Sequence, residues 1–198
     1  VEEEAVIAAP DVATIYEVPL VLAAQDLDSK ILKMLNLQTP PRDLTKWNDM
    51  LDRMRNPVDE VDIGLVGKYV EYEDSYKSLK EALLHGALAH RLKINFHWIE
   101  AQNLEWPAAK QELSKYDGIL VPGGFGSRGV EGMLLAIRYA REQRVPYFGI
   151  CLGMQTMVIE YARHVCGLSG ANSTEFDSAP PHRVIYKLRE LKGVDELG

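Results

Sequence analysis

The sequence predicts an α/β fold built on a doubly wound, mostly parallel β-sheet. Two observations predict it. From residue 61 onward, short apolar runs suited to buried strands alternate with segments of helical period, and this strand–helix pair is repeated four times. Pairs of this kind are joined by right-handed crossovers, which give a parallel sheet covered by helices on both faces.

The predicted elements follow one another in a regular order. Strands are expected at residues 61–66, 92–99, 118–121 and 145–150, and helices at 75–90, 107–115, 129–143 and 153–165. The first of these helices carries Leu79, Leu83 and Ala87 on one face. The arrangement is of the flavodoxin-like type, in which functional residues collect at the carboxyl ends of the strands.

Residues 1–60 follow a different pattern. Helices are expected near residues 26–37 and over a stripe of helical spacing formed by Leu44, Trp47, Leu51 and Met54. No central sheet can be assembled from these pieces. We therefore predict that residues 1–37 are the tail of another domain, that residues 38–60 are a linker, and that residues 61–198 are the α/β domain.

Composition and charge exclude several classes of function. The 198 residues are 46% hydrophobic with a net charge of −7, and residues 1–60 contribute 12 acids against 6 bases, a net of −6. This acidity argues against a nucleic-acid partner, and no apolar run is long enough to span a membrane. Two cysteines and the absence of a signal peptide predict a cytoplasmic protein. The first residue is Val1 instead of Met, which suggests a piece of a longer protein.

The strongest motif is Gly149-Ile150-Cys151-Leu152-Gly153, between a predicted strand and a predicted helix. It has the spacing of the nucleophile elbow G-x-S-x-G, with Cys151 in place of serine. The glycines permit a sharp, strained turn that exposes the sulfur at the start of a helix. A helix N-terminus favours the thiolate form of a cysteine, and the thiolate is the nucleophile.

A glycine-rich loop, Pro122-Gly123-Gly124-Phe125-Gly126, follows the preceding strand. We expect it beside the elbow, where its backbone N–H groups and that of Leu152 could face a developing oxyanion. Other candidates favour structural roles. Gly64–Lys68 lacks the spacing of a phosphate-binding loop. Cys166 is expected to be a small buried hydrophobe, and His182 lacks a carboxylate to orient it.

The elbow and this loop together resemble the class I, triad-type glutamine amidotransferases. Longer strings resemble the CTP synthase family, and they span nearly the whole chain: residues 9–12, 15–19, 66–69, 75–83, 120–126, 146–155 and 170–176. The resemblance implies that residues 1–37 end an ATP-dependent synthetase (amidoligase) domain. It also implies that residues 61–198 are the first part of a glutamine amidotransferase domain.

The resemblance also implies a role for particular residues. Cys151 matches the nucleophile that attacks the carboxamide of glutamine. Gly124 and Leu152 match oxyanion-hole positions that also contact glutamine. Gln155 and Glu175 match further glutamine-binding positions, where a carboxylate at Glu175 would suit the α-ammonium group. Residues Pro10, Asp11 and Val12 match a segment that lines the pocket for the adenine of ATP.

The implied reaction is the ATP-dependent amination of UTP to CTP, with L-glutamine as the nitrogen source. ATP and Mg²⁺ would serve the complete enzyme, and this chain would hold no tightly bound cofactor and no metal ligand. GTP would be the allosteric activator, sensed near residues 125–128, and the complete enzyme would be a homotetramer.

One feature departs from the family pattern. In the family that the motifs resemble, the general base and its orienting acid come from a His-x-Glu pair downstream of the cysteine. No such pair follows Cys151 in this sequence. We therefore expect the chain to be incomplete and inactive alone. Two alternatives remain. A cysteine hydrolase or deglycase-like enzyme of similar topology typically has His directly after the cysteine, where this chain has Leu152. A non-catalytic regulatory module could also retain the elbow.

Overall fold

The computed structural model describes residues 3–68 and 73–186, and the chain divides into two compact units between Val58 and Asp59. The predicted boundaries at residues 37 and 60 stay a prediction. Tyr69 and the predicted end of the α/β domain at Gly198 lie outside the described residues.

The first unit is helical. After two 3₁₀ turns, Glu3–Ala5 and Ile15–Glu17, it contains helices Val18–Ala24 (α1), Leu27–Met34 (α2) and Thr45–Arg55 (α3). The indole Nε1 of Trp47 donates a hydrogen bond of 2.7 Å to the carbonyl oxygen of Tyr16. This bond and an Arg55–Glu17 ion pair of 2.6 Å tie α3 to the turn that precedes α1.

The second unit is built on a four-stranded parallel sheet. Its strands are Asp59–Gly67 (β1), Leu92–Glu100 (β2), Gly118–Val121 (β3) and Tyr147–Gly149 (β4), in the spatial order β2-β1-β3-β4. Every pairing is parallel, with Val66 opposite Ile99 and Val121 opposite Gly149. The predicted α/β class with a flavodoxin-like parallel sheet is confirmed.

Helices connect consecutive strands and continue after the last one. They are Lys77–Ala89 (α4), Ala108–Leu113 (α5), Val130–Gln143 (α6) and Leu152–His164 (α7). The core lies between the sheet and α6, because Met133, Ile137 and Ala140 recur at helical spacing and pack with Ile119 and Val121. No helix in the described part of the chain is both long and apolar enough to cross a bilayer.

The structure differs from the sequence prediction at several ends. Helix α4 begins at Lys77, two residues later than expected, because Glu73–Tyr76 forms a 3₁₀ turn. Strand β4 ends at Gly149 because the chain already turns there. A short parallel pair, Ala171–Ser173 (β5) and His182–Ile185 (β6), was not predicted.

Candidate active site

Cys151 lies at a sharp turn between β4 and α7, and its backbone is strained. Its φ is 50° and its ψ is −105°, a region that a residue other than glycine occupies only where its surroundings hold it. The N–H of Ile150 donates to the carbonyl of Val121 on β3, and the N–H of Gln155 donates to the carbonyl of Cys151, both at 3.0 Å. The turn is therefore held by the neighbouring strand on one side and by the helix on the other.

The two glycines of the elbow are required by the space around them. A Cβ atom on Gly149 would lie 2.6 Å from the carbonyl carbon and oxygen of Gly153. A Cβ atom on Gly153 would lie 2.0 Å from the carbonyl oxygen of Val121. Both distances are far below van der Waals contact, so any side chain at these positions would push the helix away from the strands.

The glycine-rich loop after β3 contacts the elbow. Pairing of β3 with β4 brings the two strand ends together, and a Cβ atom on Gly123 would lie 3.5 Å from the Cβ of Cys151. Gly124 faces Leu152, whose Cδ2 would lie 3.2 Å from a Cβ on that glycine. Within residues 3–68 and 73–186, the backbone N–H groups of Gly124 and Leu152 have no hydrogen-bond acceptor. Two such donors in segments that meet at an exposed cysteine are compatible with the predicted oxyanion-hole positions, which stay a prediction.

Lys68 is a site residue that the sequence analysis missed. It follows β1, the residue is 3% exposed, and its ammonium group reaches the glycine-rich loop. Nζ donates to the carbonyl oxygen of Phe125 at 2.9 Å and also to that of Gly126. The backbone carbonyl of Lys68 in turn accepts a hydrogen bond from the guanidinium of Arg128. The C-terminal part of the loop and the residue Arg128 just beyond it are therefore tied to the end of β1.

Burial lowers the pKa of Lys68 below the ordinary value of lysine. The negative charge of Glu175 acts in the opposite direction, while the positive charge of Arg128 lowers the pKa further. A buried ammonium group is costly unless its hydrogens are bonded. The two loop carbonyls meet this requirement, so the contact between Lys68 and the loop is coupled to the charge of the lysine.

The sequence did contain a signal for this contact. The pair Gly67-Lys68 stands at the carboxyl end of β1, and it was set aside only because it does not form a phosphate-binding loop. Since β1 lies between β2 and β3 in the sheet, the residue after β1 must come close to the loop after β3. The strand order, which is not apparent from local patterns, gives Lys68 its role.

The two further residues predicted to bind glutamine occupy different positions at the site. Gln155 is half-buried in the first turn of α7, one turn beyond Cys151. Glu175 is exposed between β5 and β6, and its Oε1 accepts a hydrogen bond of 2.8 Å from the N–H of Gly126. The fold therefore brings Glu175 to the glycine-rich loop from a distance of 49 residues along the chain. Their glutamine-binding roles stay a prediction.

The predicted ATP-binding segment lies in the first unit. Pro10 and Asp11 are exposed and Val12 is half-buried, in an irregular stretch between the two 3₁₀ turns. The ATP contact stays a prediction. Among the described residues, no group of three or more His, Cys, Asp or Glu side chains could hold a metal ion.

Two histidines contact carboxylates, and the second cysteine lies in surroundings other than expected. His97 Nε2 lies 2.5 Å from Asp62, and His164 Nδ1 lies 3.2 Å from Glu160. The expectation that Cys166 is buried is wrong. It is exposed, because α7 ends at His164 and the chain turns at the surface.

The chain is similar to known proteins over its whole length. The family model for class-I glutamine amidotransferases matches residues 71–191. The whole chain aligns with 36% of the length of a CTP synthase from Acidobacterium capsulatum, and the aligned residues are 66% identical. It also aligns with 38% of the length of a CTP synthase from Methanocaldococcus jannaschii, with 50% identity. The chain thus spans about a third of the curated relatives it matches.

A solved structure is also similar. The glutaminase domain of the Trypanosoma brucei CTPS, with bound acivicin, matches with a TM-score of 0.60 and 42% sequence identity. The match covers 64% of this chain and 49% of that one. The resemblance to CTP synthases found in the sequence motifs therefore holds in both sequence and structure.

Proposed function

The chain belongs to the class-I glutamine amidotransferase family, and from that premise we propose that it carries the glutamine-hydrolysing cysteine of a CTP-forming enzyme. The strained backbone of Cys151 is the observation that carries this proposal. A residue with a positive φ is retained at a cost, and here that conformation places a thiol near the N–H groups of Gly124 and Leu152, which have no acceptor among the described residues. A cysteine with only a packing role would not need it.

In the proposed reaction, the thiolate of Cys151 attacks the side-chain carbonyl carbon of glutamine. The resulting oxyanion accepts hydrogen bonds from the N–H groups of Gly124 and Leu152. Collapse of this intermediate breaks the C–N bond, a proton is added to the leaving nitrogen, and ammonia leaves a γ-glutamyl thioester. Water then hydrolyses the thioester to glutamate and restores the thiol. The general base is assigned to no described residue.

Gln155 and Glu175 are proposed to hold the amino-acid end of glutamine. The carboxylate of Glu175 is exposed and uses Oε1 to bind Gly126 N–H, so Oε2 can accept a hydrogen bond from the α-ammonium group. Acivicin, which occupies the similar Trypanosoma brucei domain, is a glutamine analogue and supports glutamine as the substrate class.

The whole reaction is proposed from the curated relatives. The ammonia would aminate UTP after ATP activates it by phosphorylation, with Pro10, Asp11 and Val12 near the adenine of ATP. GTP would activate glutamine hydrolysis at residues 125–128, and the enzyme would be a cytoplasmic homotetramer. No Mg²⁺ ligand is assigned to this chain.

The Cys151→Ala variant tests the proposal. In the full-length protein that carries this chain, it should abolish CTP formation from glutamine and leave CTP formation from free ammonia unchanged, because ammonia needs no thioester. Cys166→Ala is the matched control, since both thiols are exposed, and it should retain both reactions. Glutamine-dependent CTP formation by Cys151→Ala would refute the proposal.

A further inference from the structure

One peptide group of the glycine-rich loop is held at both ends by charged side chains. Its carbonyl oxygen, on Phe125, accepts a hydrogen bond from the ammonium of Lys68 at 2.9 Å. Its N–H, on Gly126, donates to the carboxylate of Glu175 at 2.8 Å. The cation is at the negative end of the peptide dipole and the anion is at its positive end, so each contact is a charge-assisted hydrogen bond.

This arrangement fixes the orientation of the loop. Rotation of the peptide plane between Phe125 and Gly126 would break both hydrogen bonds at once and leave the buried ammonium of Lys68 without one of its two carbonyl partners. Lys68 also bonds the carbonyl of Gly126, which restrains the next peptide group. The oxyanion-stabilising N–H of Gly124 belongs to the same short loop, one residue before the restrained peptide.

We propose that Lys68 is a positioning residue for glutamine hydrolysis, holding the glycine-rich loop so that the N–H of Gly124 points at the oxyanion. The inference rests on the proposed function. The ammonium of Lys68 donates its hydrogen bonds to carbonyl oxygens of the loop, so in this proposal it acts through the loop and not on the sulfur of Cys151. The side chain stem of Lys68 also lies against Gly124, with Cδ 3.8 Å from where a Cβ atom on that glycine would be.

A positioning role predicts a separation between two reactions of the same sulfur. Attack on glutamine forms an oxyanion, whereas alkylation by iodoacetamide displaces iodide directly and forms none. Lys68→Met keeps the length of the stem and removes the ammonium group. It should lower kcat for glutamine hydrolysis by about 10-fold or more, with KM changed less than about 3-fold, because a misdirected donor chiefly weakens the transition state. The alkylation rate of Cys151 should stay within about 3-fold.

The experiment is made in the full-length protein that carries this chain. Lys110→Met, at an exposed lysine of α5, is the control and should leave kcat unchanged. Lys68→Arg, which keeps the charge, should retain more activity than Lys68→Met. If Lys68→Met fails to fold, Lys68→Gln is used with the same criteria.

Two results would overturn the inference. An unchanged kcat in Lys68→Met would show that the loop is correctly placed without the ammonium. A parallel loss of kcat and of alkylation rate would show that Lys68 maintains the fold of the whole site and has no specific effect on the oxyanion. Neither result bears on the assignment of Cys151 as the nucleophile. That assignment is refuted separately if Cys151→Ala still hydrolyses glutamine.

Discussion

The hydroxyl of Tyr147 donates a hydrogen bond of 2.8 Å to the carbonyl oxygen of Gly153. Tyr147 begins β4 and Gly153 lies in the first turn of α7, so this bond spans the turn that carries Cys151. Burial raises the pKa of Tyr147 well above the ordinary value of 10. The strained elbow is therefore supported by a tyrosine that must stay protonated to donate this bond.

The alkaline stability of the chain should depend on Tyr147. Because its pKa is higher in the folded state, the unfolded chain loses this proton first. The stabilisation is complete below pH 10 and is lost as the pH rises toward the folded-state value. Each such group contributes a slope of about 1.4 kcal/mol per pH unit. Above pH 10, Tyr147→Phe should make the free energy of unfolding fall less steeply with pH, by the contribution of about one titrating proton. Urea unfolding at several pH values measures this slope.

Tyr116 provides a comparison for this prediction. Burial and a hydrogen bond to Glu112 raise its pKa in the same direction, at a position remote from the elbow in sequence. Tyr116→Phe should reduce the alkaline slope in the same way without lowering the glutaminase activity of the full-length protein. An alkaline slope unaffected by both substitutions would contradict the assignment.

Two glycine substitutions should have opposite effects on stability, because Gly153 lies at the close contact between α7 and β3 whereas Gly86 has open space around it. Gly153→Ala would place a methyl group 2.0 Å from the carbonyl oxygen of Val121, so it should destabilise the chain by about 3 kcal/mol or more and abolish reaction at Cys151. Gly86→Ala, in the exposed middle of α4 with nothing within 4 Å, should stabilise it by about 0.5–1 kcal/mol. Urea unfolding measures the stability of both variants. If Gly86→Ala were also destabilised, the available space around the added methyl group would not explain the difference between the two positions.

Much of the fold could be predicted because its signals are local. Strand β3 is found at Gly118–Val121 as predicted, since four consecutive buried residues between turns can form little else. The turn at Cys151 was predicted from glycines two residues away on either side. In both cases the chemistry of a few neighbouring residues determines the backbone.

The unpredicted features depend on residues far apart in the sequence. Lys68 meets Phe125 across 57 residues, and Glu175 meets Gly126 across 49. Neither pair leaves a periodic pattern, because each contact is set by the order of strands in the sheet. The pair β5–β6 was missed for a related reason, since strands of three and four residues are too short to show alternation.

The two cysteines of the chain should differ in their reactivity toward glutamine-like reagents. Both thiols are exposed, so simple access does not distinguish them. A chloroketone analogue of glutamine should label Cys151 at least about 10-fold faster than Cys166, because the proposed oxyanion site and glutamine-binding residues lie next to Cys151. Mass spectrometry of the labelled full-length protein measures the two rates, and excess glutamine should protect Cys151 alone. Equal labelling would contradict the assignment of the elbow.

A buried ion pair joins the two helices beside the elbow. Arg141 on α6 binds both carboxylate oxygens of Glu160 on α7, with Nη2–Oε1 at 2.8 Å and Nε–Oε2 at 3.1 Å. The side chain of Glu160 is 1% exposed, whereas that of Arg141 is 32% exposed. If the pair is broken, the guanidinium of Arg141 can be hydrated. The carboxylate of Glu160 would instead stay buried without its arginine partner.

Removal of the arginine should therefore cost more than removal of the pair. Arg141→Met leaves a buried carboxylate without its arginine partner, with the imidazole of His164 3.2 Å away, and should lower the free energy of unfolding by about 3 kcal/mol. The double variant Arg141→Met/Glu160→Leu should recover most of that loss, because an apolar pair of similar volume needs no desolvation. Lys93→Met breaks an ion pair with Glu60 whose side chains are more than half exposed, and it should cost at most about 1 kcal/mol. Urea unfolding of the four proteins measures the difference, and a double variant no more stable than Arg141→Met would show that the charge of Glu160 is not the source of the loss.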